Sequence, residues 1–384
     1  MKVFLVAGEM SGDRLGAALM EGLQELLPEV TFAGVGGALM QEQGLESLFP
    51  MDELSVMGIA EVLPKYRHLL RRMHQTAQAA LAMKPDVVIT IDSPDFCLRV
   101  AKEIKKVSNL RTVHYVAPSV WAWRPKRAVK MAKVIDQVLA LLPFEPPYME
   151  QAGVRCDFVG HPVVNEPVAT PDECRDFRTR HGIGVAPVLL ALPGSRRSEV
   201  DRLGQSFGDV AALVKQAVPD LQVVVPAAAS VADMVIEITG DWPMKPIVLD
   251  PRGQSQAEAL AEKRAAFASA DVALAASGTV SLELAASATP MVIAYDMSWL
   301  SWQVMSRMAL IDTVTLVNLV TDTRLVPEFL GPQFQTGPIA QALTEVLAAP
   351  DQQAEVMALT MARLGKGAQA PGLRAAQAVL DGLG

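Results

Sequence analysis

The sequence predicts an α/β protein of two doubly wound, Rossmann-like domains facing a cleft. Three observations carry that expectation. First, two stretches a little under half the chain apart begin alike, each an apolar strand that runs through a small polar loop into an amphipathic helix. Val3–Ala7 leads through Gly8–Asp13 to a helix from about Leu15, and Val188–Leu192 leads through Pro193–Arg196 to a helix from about Glu199. Such a unit aims backbone N–H groups beyond the strand end, a natural place for an anion. Second, strand and helix candidates alternate through both halves, and most strands are continuous apolar runs, the mark of strands buried on both faces of a parallel sheet. Third, the texture breaks once, at the proline-rich and polar stretch Asn165–Pro171, which reads as a linker.

The totals agree. A chain of 384 residues is too long for one ordinary core and fits two domains, here 1–165 and 166–384. No run of about 18 apolar residues lacks a charge, which argues against a membrane span. Lys2–Ala7 is too short for a secretory signal and reads as a strand. A net charge of −8 argues against nucleic acid as the main partner. Cys97, Cys156 and Cys174 show no metal or redox spacing and read as free thiols of a reducing cytoplasm. The histidines lack zinc spacing.

In the first domain the strands expected are Val3–Ala7, Thr31–Val35, Val87–Ile91, Thr112–Val116, Gln137–Leu142 and Cys156–Val159. Helices Leu15–Leu27, Leu63–Met83, Leu98–Lys106 and Lys126–Ala132 fall between them. A short polar helix, Asp172–His181, follows the linker. The second domain offers strands Val188–Leu192, Gln222–Val225, Ile247–Leu249, Val272–Ala275, Met291–Ala294 and Thr315–Val317, with helices Val200–Ala217, Ala257–Ala268 and Val280–Ala286. The last helices pack back on either domain or exchange between two copies; the sequence leaves both open.

The loops at strand ends carry the chemistry. In Pro193-Gly194-Ser195-Arg196 the glycine admits close backbone approach and the serine suits a cap or a phosphate donor. An arginine is poorly placed at a helix N-terminus unless an anion neutralises it; the alternative is an exposed surface turn. A second loop, Ser277-Gly278-Thr279, opens a helix with Glu283 one turn in. Its amides and hydroxyls suit a diphosphate, and Glu283 suits the two hydroxyls of a ribose. Thr279 and Glu283 also read as an ordinary cap and dipole support.

The N-terminal loop is acidic instead. Glu9 and Asp13 flank Ser11-Gly12, repel a pyrophosphate and suit sugar hydroxyls; Ser11 and Asp13 are also good caps. Asp92, first out of the strand ending at Ile91, is the candidate general base toward an acceptor hydroxyl, while Asp95 suits a cap. No DxD pair suggests a chelated metal, and no cofactor is implied. Ser119, Trp121, Trp123 and Arg124 lie in one loop, where aromatic faces suit sugar rings and cations a phosphate; core packing of the tryptophans is the other reading.

One helix stands apart. Val62, Leu63, Leu69 and Leu70 join Lys65, Arg67, Arg71 and Arg72 in an otherwise acidic chain. Such a helix can rest on an anionic membrane surface, or simply pack on the sheet with its arginines solvated.

Taken together, Val6–Asp13, Ile91–Phe96, His114–Arg124, Leu192–Arg196, Ala276–Thr279 and Val317–Leu319 resemble the lipid A disaccharide synthase family, in order and over nearly the whole chain. The Ser-Gly-Thr loop is shared more widely among two-domain glycosyltransferases. Val317 and Arg197 stand where the family commonly has a proline and a small residue. The resemblance implies a GT-B fold and an inverting transfer. It implies UDP-2,3-diacylglucosamine as donor, 2,3-diacylglucosamine 1-phosphate (lipid X) as acceptor, and a β-1,6 disaccharide 1-phosphate and UDP as products. It also implies work at the inner face of the bacterial inner membrane and a homodimer through exchanged C-terminal segments. On this chain it places Asp92 as base, Glu9 and Ser11 on the acceptor side, and Arg196, Glu283 and Asn318 around UDP. The residues alone leave room for another GT-B enzyme, such as a muramyl-lipid glycosyltransferase or a UDP-sugar 2-epimerase. They also leave room for a non-catalytic lipid- or nucleotide-binding surface protein.

Overall fold

The computed structural model describes residues 1–54 and 59–383, the side chains of 59–65 excepted. The chain divides into two compact units. One comprises Met1–Asn165 together with the tail from Leu364; the other is Glu166–Arg363.

The first unit holds seven strands: β1 (Lys2–Ala7), β2 (Thr31–Val35), β3 (Glu46–Ser47), β4 (Val87–Ile91), β5 (Arg111–Tyr115), β6 (Gln137–Ala140) and β7 (Arg155–Phe158). They pair in parallel in the order β3-β2-β1-β4-β5-β6-β7. β1 and β4 read as unbroken apolar runs because helices cover both faces of the sheet; every residue of β4 is buried. Leu15, Leu19, Met20 and Leu23 recur on one face of the helix Met10–Leu26 and sit in this core. The final helix, Pro371–Asp381, packs against that same helix and adds Ala375, Ala376 and Val379 to the core. The tail therefore belongs with the first unit rather than with the domain that precedes it in sequence.

The second unit opens with the helix Pro171–Arg180, set by a capping box. The Thr170 hydroxyl accepts the Glu173 N–H at 3.3 Å, and the Glu173 carboxylate accepts the Thr170 N–H at 2.7 Å. Its sheet contains β8 (Val188–Leu192), β9 (Gln222–Pro226), β10 (Ile247–Leu249), β11 (Val272–Ala275), β12 (Met291–Tyr295) and β13 (Glu328–Leu330), all parallel, in the order β10-β9-β8-β11-β12-β13.

One expected strand is a helix. Thr315–Val317 begins the helix Leu316–Thr321, and β13 takes the sheet edge instead. The Glu328 carboxylate explains the exchange: it accepts the Val314 and Thr315 N–H groups, at 3.2 and 2.7 Å, so these donors do not enter a ladder.

Both sheets reverse their winding once, between β1 and β4 in the first unit and between β8 and β11 in the second. Ligands of open α/β sheets bind at such switch points, beyond the carboxyl ends of the strands.

Candidate active site

At the switch point of the first unit, the residues leaving β1 and β4 meet. Ala7 and Ile91 are register partners, so Glu9 and Asp92 emerge side by side. The Ser11 hydroxyl donates to Asp92 Oδ2 at 3.2 Å, and the Ser93 hydroxyl to Glu9 Oε1 at 3.4 Å. Gly8 permits this approach, since a Cβ there would lie 2.5 Å from Ser93 Oγ. The backbone here is held in unusual conformations: Asp92 at φ 51°, Ser93 at 40° and, after β5, Val116 at 85°. A β-branched residue at positive φ is costly, of order 1–3 kcal/mol, and such outliers cluster at functional sites.

The other acceptor-side candidates divide. Asp13 is turned inward. It is 5 % exposed, and its carboxylate accepts the N–H groups of Gly37, Leu39 and Met40 at 2.8–3.1 Å, capping the helix Ala38–Glu42. Gly12 is buried against Ile91. Ser119 and Arg124 are exposed, and Arg124 stacks its guanidinium on the Trp123 ring at 4.2 Å. Trp121 is buried. Its indole N–H donates to Glu145 Oε1 at 3.2 Å, and its ring meets Phe144 edge-on at 5.0 Å. Burial pushes the Glu145 carboxyl up to about 7, against the pull of the Leu142, Trp121 and Leu141 N–H donors. Burial likewise holds His114 and His161 neutral, at about 3 and about 4.

At the switch point of the second unit the two expected loops border one pocket of about 810 Å³. Ala275 and Leu192 are register partners, which sets Gly194, Ser195 and Arg196 beside Ser277, Gly278 and Thr279; all six line the pocket, with Glu283. The ends of β9 and β10 complete its wall through Ala227 and Asp250. Glu199 fills part of the anion position itself: its carboxylate accepts the Ser195 and Arg196 N–H groups at 3.1 and 3.3 Å. Gly194, at φ 122°, makes room, for a Cβ there would lie 2.5 Å from Glu199. Lys263 joins the lining and pairs with Glu283, a cation that no motif announced because it comes from mid-helix on a neighbouring element.

Asn318 is not in this pocket. It is 1 % exposed and stitches its own loop shut, accepting the Val326 N–H at 3.1 Å and donating to the Val326 carbonyl at 2.9 Å. Both ends of its amide are thus taken by protein.

The basic helix spans Ile59–Met83. Val62, Leu63 and Lys65, named from the sequence as membrane-facing, lie outside the described side chains. Leu69 and Leu70 do not project outward; they pack, partly buried, on the first unit's core. Arg72 is also turned inward. It holds Glu53 through Nε at 2.7 Å and Nη2 at 2.8 Å and lies 4.5 Å above the Phe49 ring. The Arg72 hydrogen bond draws the Glu53 carboxyl down to about 2. Arg67 and Arg71 remain exposed. No described helix is long and apolar enough to cross a membrane.

A family model described as lipid-A-disaccharide synthetase matches residues 3–380. The chain belongs to the lipid-A-disaccharide synthetase family. Among relatives, the lipid-A-disaccharide synthase of Ruegeria pomeroyi is 63% identical over 383 residues, covering 100% of this chain and 96% of the relative. That of Rhodospirillum centenum is 48% identical over 385 residues, covering 99% and 94%. Membership makes this chain a glycosyltransferase of lipid A, and hence lipopolysaccharide, biosynthesis. Solved structures share the fold at low identity. The UDP-GlcNAc 2-epimerase of Neisseria meningitidis, bound to UDP-GlcNAc, superposes with TM-score 0.63 at 13% identity over 99% of each chain. A glycosyltransferase from Rickettsia africae gives 0.60 at 11% identity over 99% of this chain and 97% of that one. This family member therefore has the GT-B fold expected from its sequence.

Proposed function

We propose that the chain joins UDP-2,3-diacylglucosamine to 2,3-diacylglucosamine 1-phosphate with inversion, giving the β-1,6-linked disaccharide 1-phosphate and UDP. The observation that carries this reading is the contrast between the switch points of one lipid-A-disaccharide synthetase family member: a carboxylate-and-hydroxyl cluster in one unit, a roomy pocket with cations in the other. Carboxylates suit sugar hydroxyls and the removal of a proton; cations and hydroxyls suit a diphosphate.

In this reading the donor's UDP lies in the second-unit pocket. Its diphosphate meets the Ser195, Ser277 and Thr279 hydroxyls and the Arg196 guanidinium, and its ribose meets Glu283. The Ser195 and Arg196 N–H groups already serve Glu199, so the side chains carry that side of the contact. The acceptor sugar belongs to the first unit, near Glu9, Ser11 and the Ser119–Arg124 loop. Asp92 takes the proton of the acceptor's 6-hydroxyl as that oxygen forms its bond to the donor's anomeric carbon. The bond from that carbon to the diphosphate breaks with its electron pair on UDP, where Arg196 offsets the growing charge. Ser11, donating to Asp92, keeps the carboxylate aimed.

Arg67 and Arg71, exposed on the basic helix, are proposed to rest on the anionic inner face of the inner membrane, where acylated substrates reside. The helix Pro371–Asp381 is the segment two copies would exchange in a homodimer. The deciding experiment supplies purified protein with both lipid substrates. Release of UDP with formation of the β-linked disaccharide is the expected result; a single UDP-sugar turned over alone, or no product, overturns the reading.

A further inference from the structure

The loop from Val116 to Pro125 carries exposed Ser119 and Arg124 and half-buried Trp123, and one buried polar tip holds it down. That tip is the Trp121 indole N–H, and its partner is Glu145, itself 4 % exposed. Glu145 divides its oxygens. Oε1 accepts from Trp121 at 3.2 Å, while Oε2 accepts the Leu141 and Leu142 N–H groups at 3.2 and 3.0 Å. Among the described residues no cation hydrogen-bonds to it; three N–H dipoles converge on it. A buried carboxylate so held costs more than an apolar side chain of the same size, and its geometric effect is specific: it ties the end of β6 to the loop after β5. Just beyond the loop, Arg127 of the helix Lys126–Met131 donates to Asp95 at 3.1 Å, three residues past Asp92.

We propose that Glu145 is a positioning residue for the acceptor sugar, acting through Trp121 to fix the loop that bears Ser119, Trp123 and Arg124. The proposal rests on the reading that this loop faces the acceptor. Glu145→Gln separates clamp from bulk. Its one carbonyl oxygen serves either the backbone pair or the indole, and its NH2 faces a donor at the other place. Trp121→Phe removes the same contact from the opposite side and keeps a ring against Phe144.

The test measures KM for each substrate, together with hydrogen exchange of residues 117–124 in the full chain without substrate. In each variant, acceptor KM should rise on the order of tenfold or more, the size of a lost hydrogen bond to a charged group, with donor KM unchanged. Exchange at 117–124 should quicken, while β1 and β8 stay protected as before. The double variant should lose no more than the larger single one, because both remove one contact. Equal rises in both KM values, additive losses, or unchanged exchange at 117–124 would overturn the proposal. Should the unaltered protein fail to turn over the two lipid substrates, the acceptor reading falls, and the exchange result still decides whether Glu145 clamps the loop. Should Glu145→Gln not fold, Trp121→Phe carries both readouts.

Discussion

The two switch points occupy the same place in two similar sheets and have opposite characters. In the first unit the loops after β1 and β4 are pressed together and acidic, and the turns after β4 and β5 are strained, with four non-glycine residues at positive φ: Asp92, Ser93, Val116 and Arg124. In the second the loops after β8 and β11 stand around an open pocket lined by Arg196 and by Lys263 of the helix Gln256–Ser269. In the function proposed above, one topology thus offers an orienting site for hydroxyls and a receiving site for a diphosphate. The fold sets where loops meet; the loop residues set the chemistry.

The contrast can be broken most sharply at Asp92. Asp92→Asn should lower turnover by roughly 100-fold or more while UDP affinity, measured by calorimetry, stays as it was. Turnover near that of the unaltered protein would remove Asp92 from the base role. The mirror experiment is Arg196→Ala. UDP affinity should fall by about tenfold to a hundredfold, as for a lost charge-assisted contact, with acceptor KM unchanged.

A third substitution sharpens the difference between carboxylates within one loop. Asp13→Ala leaves three backbone N–H groups without their acceptor, and should cost roughly 1–3 kcal/mol of stability in urea unfolding with little change in either KM. A purely kinetic effect would return Asp13 to the site.

At the surface, Arg67→Glu with Arg71→Glu should weaken binding to anionic vesicles, each lost positive charge costing about 1 kcal/mol. Arg72 is the wrong choice for that test because its partner is Glu53.

The smallest effect is a pH slope. His114 and His161 have folded pKa values below the usual 6.5. The unfolded chain therefore binds their protons first, and stability falls as pH drops below 6.5, by about 0.7 kcal/mol per histidine between pH 7 and 6. Glu145 has the opposite sign. Its folded pKa, about 7, lies above 4.5, so the folded state binds its proton first and gains about 1 kcal/mol over the same interval. Glu145 thus offsets most of the loss from the two histidines, leaving a net fall of about 0.4 kcal/mol. Glu145→Gln should expose the histidine slope, seen as a steeper loss of unfolding free energy from pH 7 to 6 than in the unaltered chain.

Much of this was legible in the chain. β1, β4, β8 and β11 announce themselves as short apolar runs, and the turn residues after each meet at the two switch points, because local chemistry decides both. The misses are non-local. Asp13 looks like any acidic loop residue until Gly37–Met40 arrive from another element. Asn318 sits in a motif that reads as ligand-binding, yet Val326 takes both ends of its amide. Thr315–Val317 has strand composition, but Glu328 claims the Thr315 N–H. Lys263 and Glu145 belong to no motif; only folding brings them to Glu283 and Trp121.

The division of labour is tested most directly by hydrogen exchange of the full chain with and without saturating UDP. The account predicts slowed exchange at 194–196 and 277–283, with 8–13 and 92–95 unchanged. Protection at 92–95 with none at 277–283 would contradict it.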